Sequence, residues 1–375
     1  GKFIQFGSYR SFEEDELQLK THVLHLCMEK QDLELYFTHK NKEDDWEVMA
    51  VQFVPAEKEN YDPSVLVGEE EPNYTETEVS FGTETFPLKG TLTMPVEASQ
   101  TNPVPACVLV HDSGAMDRDE TLGSTHFFAD LAQAFADLGI ATLRYDKRTY
   151  LYGESASMTV EEEVIDDAVL AGKYLSDNLL VDSSMIVVVG HGFGGTLAHR
   201  IAKASDGVFS AVIMVGSTAL SYDDYLLGHS NLSEYTADEL KTYQDTLDKL
   251  AKMKEQTALE NTETVLGHSV YYFWELQKTN NYELIRKLRL PTYIVQGKKD
   301  PLVPENEGWR QYNNKIGEGV KYVTYRSFPG LNHVLMSDSS TDVYGLPQYT
   351  ENATLDISAG RSIGQWILSL KSTAE

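Results

Sequence analysis

The stretch MIVVVGHGFGG, Met185 to Gly195, constrains this chain more than any other. A β-branched run predicts a buried strand, a cluster of glycines breaks it, and TLAHRIAKA continues as a helix. Two kinds of site are written as strand, glycine turn and helix. One is the dinucleotide-binding turn G-x-G-x-x-G, which Gly190, Gly192 and Gly195 satisfy. The other is the nucleophile elbow G-x-S-x-G, framed by Gly190 and Gly194, with Gly192 where the serine is expected.

Both readings need a large α/β sheet, and the chain has room for one. Its 375 residues suit one large domain plus a small one, and 41% hydrophobic residues allow a sizeable core. A net charge of −27 argues against nucleic acid or an anionic membrane as partner. No run of apolar residues is long enough to predict a membrane span. Cys27 and Cys107 lie far apart and read as free thiols, Cys107 inside a buried strand. Neither metal-ligand spacing nor a P-loop occurs, so no metal and no cofactor are expected.

From about Thr21 to Pro55, VLHLCM, DLELYF and WEVMAVQFV alternate with period two and predict a small antiparallel sheet. Residues 1–57 are thus expected to form a small N-terminal domain, with a polar, proline-bearing linker over 58–74. Next, EVSFG and KGTLTMP predict a hairpin. Apolar strands and helices then alternate: ACVLVHDSG, THFFADLAQAFADLG, IATLRYD, TVEEEVIDDAVLAGKYLSDN, the glycine turn, and FSAVIMVGS. Thr159 is placed to cap the second of these helices. Such a pattern predicts a mostly parallel sheet covered on both faces. The rhythm breaks over about 219–288, which reads as a helical cap insertion. It resumes with TYIVQGKKD, ENEGWRQYNNKI, YVTYRSFPG and SIGQWILSLK.

The dinucleotide reading needs a carboxylate at the end of the strand after the motif. That strand ends in Gly216, Ser217 and Thr218, and Asp206 precedes it. The elbow reading needs an acid after a later strand and a histidine after the next, in that order. Asp300 and His333 meet both demands, and the early loop VLVHDSGAMDRDE lies where an oxyanion loop belongs. The agreement of four features in order favours the elbow.

On HDSGAMDRDETLG, LRYDKRTYLYG, VEEEVIDDAV, GHGFGGTLA, VQGKKDPLV and FPGLNHVLM, the chain from about Thr75 to its end resembles the α/β hydrolases. It is similar to bacterial esterase and dienelactone-hydrolase-like or serine-aminopeptidase-like members. The resemblance implies a doubly wound, mostly parallel eight-stranded sheet with a helical cap. It also implies a small α+β domain in front, of which residues 1–57 resemble the later, sheet-forming part. Location stays open between the bacterial cytoplasm and export after removal of a signal.

Carried onto this chain, the resemblance makes Asp300 the triad acid, His333 the general base, and the Phe193 amide one oxyanion donor. The second donor falls at Asp112 or Ser113. Two positions depart from the pattern: Asp112 stands where glycine is usual, and Gly192 stands for the nucleophile. Glycine takes the positive φ of an elbow at no steric cost, so the turn survives while the acyl-enzyme chemistry is lost. The expected function is a serine-type carboxylic-ester hydrolase scaffold for small ester-like substrates, inactive or severely impaired as written. The glycine reads as a deliberate replacement or a natural loss, and Gly192→Ser is expected to restore hydrolysis. The alternatives are a natural pseudoenzyme binding an ester-like or peptide-like ligand, and a dinucleotide-binding protein. His111, His191, Arg144 and Tyr145 are candidates for lining the substrate pocket, while RYDKRTY reads chiefly as structural ion pairing. Peptidase, lactonase and thioesterase chemistry would use the same triad, and oligomeric state is not encoded in any pattern here.

Overall fold

The computed structural model describes residues 3–14, 19–28, 32–42, 45–56, 72–155, 157–221, 236–250, 252–265, 267–277, 281–317, 319–337 and 354–371. The chain divides into two compact units, Gly1–Pro72 and Asn73–Glu375. Most of the expected linker, its residues 58–71, lies outside the described residues.

The first unit is a four-stranded antiparallel sheet in sequential order: β1 (Phe3–Glu14), β2 (Leu19–Met28), β3 (Leu33–Lys42) and β4 (Asp45–Pro55). The three strands expected from alternation are present, and β1 is additional. Its sequence FIQFGSYRSFEE interrupts alternation with Gly7 and serines, and its register with β2 shifts twice.

The second unit holds β5 (Tyr74–Gly82), β6 (Pro87–Pro95), β7 (Val104–Val110), β8 (Ala141–Tyr145), β9 (Val181–His191), β10 (Ala211–Val215), β11 (Thr292–Gly297) and β12 (Val323–Phe328). They form one eight-stranded sheet in the order β12-β11-β10-β9-β7-β8-β6-β5. The β5–β6 hairpin joins antiparallel to β8, and the remaining neighbours run parallel. This is the α/β-hydrolase sheet.

Strand alternation divides the core between two faces. On β7 and β9, Val108, Val110, Ile186 and Val188 face one apolar cluster, which α2 (Asp166–Ser176) and α3 (Gly192–Ala204) complete with Leu175, Leu197 and Ile201. Cys107, Leu109, Val187 and Val189 face the other, completed by α1 (Phe127–Ala136) and α7 (Ile357–Ser369) through Phe128, Leu131, Ile363 and Ile367. Cys107 is a buried free thiol, as its place in an apolar strand predicts. Thr159 and Glu162 exchange hydrogen bonds as a capping box: Glu162 N donates to Thr159 Oγ1 at 3.1 Å, and Thr159 N to Glu162 Oε2 at 3.0 Å.

Within the expected insertion, the described helices are α4 (Ala237–Leu250), a short turn at Glu255–Leu259, α5 (Val270–Gln277) and α6 (Asn281–Leu288). Residues 222–235 lie outside the description. Tyr272 and Phe273 are buried, and Phe273 meets Tyr243 edge to face, so the aromatic run HSVYYFWEL supplies core to these helices. Among the described residues, no helix is long and apolar enough to cross a membrane. Strand β9 delivers His191 and Gly192 to the carboxyl end of the sheet, and the loops after β7, β11 and β12 deliver Asp112, Asp300 and His333 beside them.

Candidate active site

Gly192 opens α3 directly after His191, with φ of +49°. A Cβ there meets the left-handed backbone penalty that glycine avoids. It also meets a second obstacle that the sequence does not announce. A Cβ built on Gly192 would fall closer than 3.0 Å to Cγ, Oδ1 and Oδ2 of Asp112. The carboxylate of Asp112 therefore occupies the volume in which an elbow side chain would stand.

That carboxylate is held at both oxygens. Oδ1 accepts from the Phe193 N–H at 2.6 Å and from its neighbour Ser113 N–H at 2.7 Å. Oδ2 lies 3.2 Å from His333 Nε2, and His333 Nδ1 lies 2.8 Å from Asp300 Oδ2. Asp300 is itself fixed by N–H groups of Leu302 at 2.9 Å and Val303 at 2.8 Å. Two backbone donors and a histidine thus converge on one carboxylate, as they would on the carboxylate product of ester cleavage.

The charges follow from this arrangement. Burial alone would lower the His333 pKa, but the charges of Asp300 and Asp112 and their hydrogen bonds reverse it and hold it well above 6.5. Burial likewise opposes ionisation of Asp112. The hydrogen bond and charge of His333, with help from His191 and the Phe193 N–H, outweigh it and hold Asp112 well below the usual carboxylate range. At neutral pH Asp112 and His333 face each other as carboxylate and imidazolium. His333 becomes a base only when the Asp112 carboxylate leaves it.

Two sequence expectations change. The Asp112 amide does not face the site; its N–H donates to Glu120 Oε1 at 3.0 Å. The backbone donors gathered there are Phe193 and Ser113, and Asp112 enters with its side chain. A serine at position 192 would also require the Asp112 carboxylate to move, because Asp112 fills that space.

His191 joins the site from below. Its Nδ1 lies 2.8 Å from Glu120 Oε1, its Nε2 3.2 Å from the His333 carbonyl oxygen, and its ring 4.5 Å from the His333 ring. His111 turns away, with Nε2 2.8 Å from the Asp117 carbonyl oxygen and its ring against Phe128 and Tyr145. Burial lowers its pKa to about 4, so it stays neutral. Arg144 is engaged elsewhere, donating to Asp119 at 2.7 Å, Thr93 at 2.7 Å and Glu76 at 2.8 Å. Tyr145 is buried against Phe81 and His111. The structure therefore places Gly192, Asp112, Ser113, Phe193, His191, Asp300 and His333 together, and gives His111, Arg144 and Tyr145 packing and ion-pair partners instead.

Glu120 escaped the sequence reading, and Lys147 entered it only within the ion-pairing motif RYDKRTY. Glu120, fully buried at φ +49°, ties the Asp112 amide to His191. Lys147, also buried, donates to the carbonyls of Asp112 at 3.2 Å and Gly114 at 2.8 Å, and pairs with Glu163 at 2.9 Å. It clamps the loop that carries Asp112. The other charges of RYDKRTY are paired too: Asp146 with Arg118 at 2.7 Å and Arg148 with Asp167 at 2.5 Å.

Asp112, His191 and His333 offer atoms within 4.8 Å of one another, a spacing open to a metal ion. Each of those atoms already has a hydrogen-bond partner, so an ion would have to displace the imidazolium proton and these bonds. The helix N-terminus that a dinucleotide phosphate would use is closed as well. Phe193 N–H is taken by Asp112, and Gly194 N–H donates to the His111 carbonyl at 3.0 Å.

Comparison with known proteins agrees with this fold. The sequence pattern of the prolyl oligopeptidase family matches residues 146–346, a span that contains Gly192, Asp300 and His333. Esterase EstD of Thermotoga maritima is 32% identical over 276 residues, or 70% of this chain. The chain spans 62% of that relative's length. The solved structure of Est1E from Butyrivibrio proteoclasticus superimposes with a TM-score of 0.50 at 15% identity, covering 80% of this chain and 99% of that one. A hypothetical protein from Pseudomonas aeruginosa gives 0.50 at 14% identity, covering 79% and 94%. At these identities the two structures speak for the fold alone.

Proposed function

The chain belongs to the prolyl oligopeptidase family, and on that premise we propose that its Asn73–Glu375 unit is a carboxylic-ester hydrolase scaffold arrested at the acyl-transfer step. The observation that carries the reading is the convergence of His333, backed by Asp300, and the N–H groups of Phe193 and Ser113 on one point above Gly192. In the serine form of such a site, the hydroxyl attacks an ester carbonyl and His333 takes its proton. The oxyanion rests on the two N–H groups, and water then releases the acid. Without the hydroxyl that route is closed. Loss of the nucleophile costs a serine hydrolase about a million-fold in turnover. The relative named an esterase supports small esters as the substrate class.

The test restores both positions at once. Asp112→Gly with Gly192→Ser is expected to hydrolyse p-nitrophenyl butyrate, and His333→Ala added to that pair to abolish the gain. A folded double variant that stays inert would overturn the reading.

A binding role without turnover is the second reading, favoured by one observation: Asp112 lies as a product carboxylate would. Asp112→Gly is then expected to bind butyrate, seen as a rise in Tm with butyrate concentration that the parent chain does not show.

A further inference from the structure

The Asp112 carboxylate is more than a plug, because its two oxygens are held differently. Oδ1 has both backbone donors, Phe193 N–H at 2.6 Å and Ser113 N–H at 2.7 Å. Among the described residues, Oδ2 meets the His333 imidazole alone, at 3.2 Å. The side chain keeps 21% of its surface exposed, while His333 and Asp300 behind it are buried. A carboxylate with one oxygen in an oxyanion hole, the other on the imidazole of a histidine–aspartate pair, and part of its surface exposed resembles an enzyme nucleophile more than a spacer.

We propose that Asp112 is a catalytic nucleophile that attacks saturated carbon carrying an anionic leaving group, such as an alkyl halide, through a covalent alkyl ester on its own side chain. The choice of electrophile follows from where the donors point. At an ester carbonyl, Asp112 would create a new oxyanion with no donor left for it, since Oδ1 already takes both N–H groups. The product would be a mixed anhydride, less stable than the ester it came from. At saturated carbon the negative charge departs with the leaving group and needs no hole.

The hole then serves the second step. Oδ2 forms a bond to carbon as the carbon–halogen bond breaks and halide leaves with the bonding pair. Alkylation removes the charge of one of the two carboxylates that hold His333 protonated, and the imidazolium releases its proton to solvent. Neutral His333, oriented by Asp300, takes a proton from water as the hydroxide adds to Asp112 Cγ. The new oxyanion forms on Oδ1, already within hydrogen-bond reach of Phe193 and Ser113. Collapse expels the alkoxide, which takes the proton from His333. The regenerated Asp112 carboxylic acid gives its own proton to His333, restoring the starting state. The sum is alkyl halide plus water to alcohol, halide and one proton. Gly192 makes this possible, because any side chain at the elbow would displace the carboxylate. The inference rests on the position of Asp112 and is independent of the ester reading.

The probe is n-butyl iodide with the full chain. Iodide and n-butanol are expected from the parent and only background from Asp112→Asn. Turnover in heavy-oxygen water is expected to place label in the Asp112 carboxylate, read by peptide mass spectrometry. In His333→Gln the butyl ester is expected to accumulate on Asp112, visible as an intact-mass shift. Circular dichroism establishes that each variant is folded. A folded parent with neither turnover nor a butyl group on Asp112 would overturn the proposal. So would label found only in the alcohol, or a butyl group found on His333 instead. Should His333→Gln not fold, the labelling of the parent decides alone.

Discussion

The carboxylate of Asp112 and any side chain at position 192 compete for one volume. A Cβ on Gly192 would lie within 3.0 Å of all three carboxyl atoms of Asp112, and the Asp112 carboxylate takes the Phe193 N–H at 2.6 Å. The two departures from the hydrolase pattern are therefore one structural change, made from two loops. Absence of the elbow side chain opens the oxyanion hole to Asp112. The presence of Asp112 supplies the anion that the hole and His333 would otherwise lack.

Gly192→Ser alone is accordingly expected to stay near the parent's ester activity. It carries the cost of a left-handed non-glycine residue, about 1–2 kcal/mol, together with the displacement of a hydrogen-bonded carboxylate. A lower Tm with no gain on p-nitrophenyl butyrate is the expected pair of readouts.

The Asp112–His333 pair gives a signed pH dependence. Asp112 has a depressed folded pKa, so its contribution is present above about pH 4 and lost as pH falls further. His333 has a raised folded pKa, so its contribution is complete below about pH 6.5 and lost as pH rises through the folded value. The Tm difference between parent and Asp112→Asn is expected to be largest between about pH 4 and 6.5 and to shrink on both sides. A difference that grows steadily from neutral to alkaline pH would contradict this.

Lys147 is expected to matter for stability through the buried pair it makes and the loop it clamps. Its ammonium and the Glu163 carboxylate are both buried, and Glu163 also accepts from the Tyr272 hydroxyl at 3.0 Å. Lys147→Met leaves Glu163 without its cation and is expected to cost about 3–5 kcal/mol in denaturant unfolding. Adding Glu163→Gln should recover part of that loss. No loss from Lys147→Met would mean the clamp on the Asp112 loop is dispensable.

The sheet and the elbow were legible because their signals are local. An apolar run with glycines, as at Met185–Gly195, specifies strand and turn by itself, and Thr159 with Glu162 specifies a cap four residues wide. The pairing of Asp112 with Gly192 was not legible, since each reads alone as a defect and only the fold brings β7 beside β9. Glu120 was hidden in DRDE, where an acidic residue is expected to face solvent. Its burial depends on His191 and the Asp112 amide, which tertiary structure supplies. Arg144 and Tyr145 end strand β8, but sequence order does not reveal that Glu76 and Asp119 engage the guanidinium. In β1, Gly7 and a shifting register blur the alternation that marks β2 to β4.

The most direct measurement is a double-mutant cycle on hydrolysis of p-nitrophenyl butyrate, using the parent, Asp112→Gly, Gly192→Ser and the pair. Mutual exclusion predicts that neither single variant gains appreciably and that the pair rises by several orders of magnitude, in line with what a serine nucleophile contributes. If Gly192→Ser alone matched the pair, Asp112 would not hold the elbow volume, and the account would be wrong.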